Sequence, residues 1–107
     1  MKIIKEVIDD VRCYISGGIS NDPEHWQKFM EAEAYLRDQG YDVINPVKVA
    51  AALPEMTYGE YMKIDLQMLE FCDAIYMLSG WEQSAGAKLE YHYATTLWKK
   101  RIKVIHE

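Results

Sequence analysis

Two carboxylates fall where apolar residues belong. On a helix predicted over about residues 84–100, positions 86, 87, 90, 94 and 97 share one face, occupied by Gly86, Ala87, Glu90, Ala94 and Leu97. Four of these are small or apolar and the fifth is Glu90. An inward glutamate carries a desolvation cost unless it is partnered or used. It stands one turn inside a helix N-terminus, where positive potential and free N–H groups favour a carboxylate or a bound phosphate. The alternative is a boundary glutamate turned to solvent or paired with Lys63 or Lys88. Asp65 repeats the pattern among Tyr61, Met68, Leu69 and Cys72, with pairing to a neighbouring lysine as its alternative. Two inward carboxylates near one crevice suggest an acid/base or nucleophile pair. Tyr14, flanked by Cys13 and Ile15 in a strand-like run, needs a partner for its hydroxyl if buried, and such a carboxylate would serve. Ordinary aromatic packing is the competing explanation.

Other chemistry has weaker signals. Gly17-Gly18 suits a close backbone approach to a sugar or phosphate, but neither GxGxxG nor GxxxxGK[ST] occurs. Trp81, between Gly80 and Glu82, suits stacking on a base, a lid or a subunit contact. His25, His92 and His106 lack ligand spacing and are not paired with cysteines, so neither a metal nor any other cofactor is expected. Cys13 and Cys72 lie in apolar segments without CxxC spacing and are expected as buried, reduced core residues. Lys99, Lys100, Arg101 and Lys103 are expected to complement a helix dipole.

The elements that must position these groups alternate regularly. A strand over residues 11–16 stops at Gly17-Gly18. Asp22 as N-cap and Pro23 at the first helical position announce a helix with Trp26, Phe29, Ala32 and Leu36 inward, ended by Gly40. Residues 41–45 form a second strand closed by Pro46, and 47–57 read as loop. A helix over 58–71, an apolar strand over 73–79, the helix carrying Glu90 and a strand over 102–105 follow. The order β-α-β-α-β-α-β predicts a three-layer α/β fold of flavodoxin-like or Rossmann-like type, with four parallel strands and helices on both faces. Residues 1–10 suit either a short helix or an extra edge strand. Ligands of such sheets bind beyond the carboxyl ends of the strands. That directs attention to Ser16–Asn21, Asn45–Val49 and Ser79–Gly86. Asp73 falls at the opposite end and reads as a structural turn residue.

Composition bounds the rest. The chain has 107 residues and a formal charge of −5, enough for one domain with one core. The acidic balance argues against binding a nucleic-acid polymer. No apolar run approaches the roughly 20 residues of a membrane span, and no signal-peptide core stands at the N-terminus. The expectation is a cytoplasmic protein that does not act at a membrane.

The ordered set Tyr14-Ile-Ser-Gly17, Asp65 with Asp73 eight residues on, and Ser84-x-Gly86-x-x-x-Glu90 with Ala94 resembles the nucleoside 2-deoxyribosyltransferase-like superfamily. The segments YISGGIS, GYDVINP and CDAIYMLSGWEQSAGAKLE resemble its small phage and bacterial members of unassigned function. The likeness covers roughly residues 11–105. It implies cleavage of the N-glycosidic bond of a 2′-deoxynucleoside or its 5′-monophosphate, by hydrolysis or by transfer to a second base. Glu90 matches the nucleophile that forms a covalent deoxyribosyl intermediate, Tyr14 the residue that orients it, and Asp65 a substrate-contacting aspartate that assists protonation of the leaving base. Ser84 and Gly86 tilt the expectation toward a monophosphate and hydrolysis. Substrate contacts are expected from Ser16, Gly17, Gly18, Ile19, Asn45, Trp81, Ser84 and Gly86. The resemblance also implies that a second subunit helps complete the site, hence a homodimer or higher oligomer. The alternative is a non-catalytic module that binds or sequesters a nucleotide in the same crevice.

Overall fold

Strand β1 (Arg12–Ser16) is apolar on both sides because both are covered. Cys13 and Ile15 point to one face of the sheet, Tyr14 and Ser16 to the other. This computed structural model describes residues 11–20, 22–98 and 101–107. The expectations for residues 1–10, Lys99 and Lys100 lie outside the described residues. β1 pairs in parallel with β2 (Asp42–Ile44) on one side and with β3 (Ala74–Met77) on the other, and β3 pairs in parallel with β4 (Lys103–His106). The order is β2-β1-β3-β4. All four strands are parallel and lie between helical layers, a three-layer flavodoxin-like arrangement.

Helix α1 (His25–Asp38) covers the first face. Phe29, Ala32 and Leu36 join Cys13, Ile15, Val43, Ala74 and Tyr76 in one core. The helix begins later than the Asp22-Pro23 pair suggests. Asp22 instead holds the preceding turn, accepting from the Glu24 amide at 2.8 Å and pairing with Lys28 at 2.6 Å. Trp26, placed inward by spacing, is 49% exposed; Glu33 takes an inward position and accepts from Arg37, Asn45 and Lys48. Gly40, at φ +95°, ends the helix in the left-handed region open to glycine.

The segment expected as loop contains a helix. Pro46 stops β2 but also opens α2 (Pro46–Ala51), with Asn45 as N-cap accepting from the Val47 amide. Helix α3 (Tyr58–Glu70) starts with a capping box: Thr57 accepts from the Glu60 amide, and the Glu60 carboxylate accepts from the Thr57 amide. Helix α4 (Ala85–His92) follows a short turn at Trp81–Gln83, entered through Gly80 at φ +83°. Over Tyr93–Leu97 the helix widens to a π turn. The wider spacing carries Leu97 off the inward face, leaving it 57% exposed, while Ala87, Glu90 and Ala94 remain buried. On this second face Tyr14, Ile75 and Met77 meet Leu69, Cys72, Ala94 and Ile102. Asp73 accepts from the Arg12 amide at the amino edge of the sheet. No described helix is long and apolar enough to cross a membrane.

Candidate functional site

The connection leaving β1 runs to β2 on one side and the connection leaving β3 runs to β4 on the other, so the crevice beyond β1 and β3 is the switch point of the sheet. A cavity of about 620 Å³ opens there. Gly17, Gly18 and Ile19 after β1 form one wall, Ser79, Gly80 and Ser84–Ala87 another, and Tyr58, Tyr61, Met62 and Asp65 of α3 a third. Glu90 reaches it from α4. Two glycines let the walls approach. A Cβ on Gly17 would stand 2.8 Å from Leu78 Cδ1 and 2.9 Å from Leu78 Cβ. One on Gly86 would stand 3.4 Å from Tyr58 Oη and 3.5 Å from Met62 Sδ.

Glu90 is 6% exposed and accepts two short hydrogen bonds. Tyr14 Oη donates to Oε2 at 2.6 Å and Ser16 Oγ donates to Oε1 at 2.6 Å. The alternation of β1 sends both hydroxyls to the same face, under α4. Asp65 lies alongside, close enough for a hydrogen bond between the two carboxyls. Burial pushes both up from the ordinary carboxylate range, Asp65 to about 6 and Glu90 to about 8. For Glu90 the two hydroxyl donors oppose that rise, and the nearby charge of Asp65 adds to it. Like charges this close do not both ionise at neutral pH, so the pair keeps a proton between them. Burial and the charge of Glu90 hold the Tyr14 hydroxyl well above its ordinary value, so Tyr14 remains a donor.

Tyr14, Asp65 and Glu90 thus come together, and the Lys63 and Lys88 alternatives for Glu90 do not arise. Gly17, Gly18, Ile19, Ser84 and Gly86 line the cavity. Ser84 also caps α4, accepting from the Ala87 amide at 3.1 Å. Ser16 is buried behind the lining, on Glu90. Asn45 and Trp81 lie off the cavity. The Asn45 amide donates to Phe29 O and Glu33 Oε1 and accepts from Val47, so both its ends are engaged in the fold. Trp81 stacks on Tyr91 of α4, ring centroids 4.7 Å apart, so one face of its ring is covered.

Lys28 and Met62 line the cavity without having been singled out in the sequence. Met62 sits one turn after Tyr58 on α3 and looks like core. Lys28 looks in sequence like a solvated surface lysine; its pairing with Asp22 depends on the turn before α1. Neither cysteine lines the cavity; both are buried and not joined in a disulfide, and burial pushes the Cys13 thiol up to about 12, which leaves it inert. Among the described residues no three of His, Cys, Asp and Glu gather where a metal ion could be held.

Residues 11–104 match the family described as Domain of unknown function (DUF4406). The chain belongs to the DUF4406 family. The match runs from the start of β1 into β4 and so contains every residue of the site. None of the curated proteins compared matches the chain.

Proposed function

We propose that this DUF4406 protein cleaves the N-glycosidic bond of a 2′-deoxynucleoside or its 5′-monophosphate, as a member of the nucleoside 2-deoxyribosyltransferase-like superfamily. The observation that carries this reading is the buried Glu90 at a crevice wall, held on both oxygens by hydroxyl donors with Asp65 beside it. A salt-bridging glutamate would have cations around it. A glutamate held by hydroxyls, next to a second carboxyl and open to a cavity, is arranged to attack.

The singly protonated pair rests with its proton on Glu90, the more deeply buried carboxyl. The reactive form is the other tautomer, in which Glu90 is the anion and Asp65 holds the shared proton. Glu90 bonds to C1′ as the C1′–N bond breaks. The electron pair passes to the base nitrogen, which takes the proton from Asp65. Charge developing on the ring oxygen and C1′ faces the Glu90 carboxylate at the wall of the crevice. Asp65, now ionised, takes a proton from water attacking C1′, which frees the deoxyribose and restores Glu90. A second base in place of water gives transfer. A cavity of about 620 Å³ falls in the range of small-molecule sites. The same proposal includes a homodimer that closes the open side near Tyr58.

The test is chromatographic detection of free base from a panel of deoxynucleosides and monophosphates. Wild-type protein is expected to release base, and Glu90→Gln to lower the rate at least about a thousandfold, as loss of a nucleophile does. No release from any member of the panel would remove the enzymatic reading. Binding by calorimetry in that case would point to a nucleotide-binding module.

A further inference from the structure

Ser16 is the buried polar side chain in contact with Glu90 that the reaction above leaves without a task of its own. It is 1% exposed, and among the described residues its hydroxyl bonds only Glu90. A methyl group would satisfy packing at this position as well as CH₂OH does, so the hydroxyl answers to Glu90. Its place along β1 separates its task from that of Tyr14. The strand runs toward the crevice, and Ser16 lies two residues, about 6.6 Å, further along than Tyr14 on the same face. Tyr14 therefore holds Oε2 and Ser16 holds Oε1, so each carboxylate oxygen has a hydroxyl donor of its own.

We propose that Ser16 is a positioning residue for Oε1 of Glu90, aiming it at C1′ for attack and stabilising it again when it departs. The inference rests on Glu90 acting as the nucleophile. In the first half-reaction Oε1 bonds to C1′ and the base leaves with the electron pair of the C1′–N bond. In the second, the oxygen of water bonds to C1′ and its proton passes to Asp65. The C1′–Oε1 pair returns to Oε1, where the Ser16 hydroxyl meets the returning negative charge. A donor to the leaving oxygen assists this second step most, because charge on that oxygen grows from ester to carboxylate. The groups facing Glu90 are Tyr14 and Ser16 from β1 and Asp65 from α3. Tyr58, Tyr61 and the Asp22–Lys28 pair line the same cavity.

The experiment compares wild-type protein with Ser16→Ala, a change that removes one oxygen atom and leaves the strand intact. Base release is followed from the first turnover, and the Glu90 carboxyl is titrated by carbon-13 NMR, with Glu90→Gln fixing the assignment. Ser16→Ala is expected to show a burst of base, one equivalent per site, then a steady rate at least about tenfold below wild type with KM little changed. Its Glu90 carboxyl is expected to titrate about one pH unit higher, the effect of losing one hydrogen bond to a charged group. A wild type that releases no base fails the glycosidic reaction itself. A wild type that turns over beside a Ser16→Ala protein with the same time course and the same titration overturns the assignment to Ser16.

Discussion

Glu90 and Asp65 work as one titrating unit. Burial and proximity lift both, and catalysis needs a single proton on the pair: Glu90 free to attack and Asp65 able to donate. Base release is therefore expected to follow a bell, rising through an apparent value near 6 and falling near 8. Asp65→Asn removes the second proton site and the neighbouring charge. Its profile should lose the alkaline limb and keep a single rise, the ionisation of Glu90, which takes place beside a neutral neighbour as the acid limb of the wild-type pair does. Initial rates across pH check both points, and an Asp65→Asn profile that keeps the wild-type bell would sink the shared-proton account. Tyr14 and Ser16 set the geometry of this unit without titrating in the range.

At the scale of elements, the crevice depends on how closely β1 and β3 can finish. Gly17 stands against Leu78, where a Cβ at 2.8–2.9 Å has no room. Gly17→Ala should cost about 1–3 kcal/mol, as overpacking of a buried contact does, and displace the loop that carries Gly18 and Ile19. Denaturant melts and base-release rates read the two effects separately. Much of this was legible in sequence. Helical spacing put Glu90 inward and a buried Tyr14 called for a carboxylate partner, the family resemblance joined the two, and Gly40 marked a helix end. Ser16 was grouped with the loop as a substrate contact, although the alternation of β1 puts it on the Tyr14 face and was the signal for its bond to Glu90. Helix α2 was missed because Pro46 ends a strand and begins a helix with equal ease; Asn45 before it was the cap that distinguishes them. The stacking of Trp81 on Tyr91 was not legible because the two lie ten residues apart in different elements. Leu97 was misplaced because a π turn changes the spacing on which helical faces are assigned.

For the whole molecule, the site lowers stability in a definite pH window. In the unfolded chain Asp65 and Glu90 titrate near the ordinary values of about 4. In the folded protein both bind protons up to higher pH, so between about 4 and about 8 the native state carries more protons than the unfolded one. Stability must then fall as pH rises through that window. Glu90→Gln abolishes most of this dependence. The variant should melt higher than wild type at pH 8 and close to it at pH 4.5, a difference that scanning calorimetry measures. A gap that stays constant with pH would contradict it.

The sheet divides the molecule into a side that holds the chemistry and a side that does not. Ala32, Leu36 and Val43 pack against Cys13 and Ile15, on the face opposite Tyr14 and Ser16, and none of the five except Ile15 touches the cavity. Apart from Ile15 and Phe29, which line the cavity, and Leu78, which limits the room at Gly17, that face can drift, or be redesigned, under the pressure of packing alone. The protein is in this sense a chassis with a detachable requirement: one layer answers to volume, the other to the geometry of a single carboxylate.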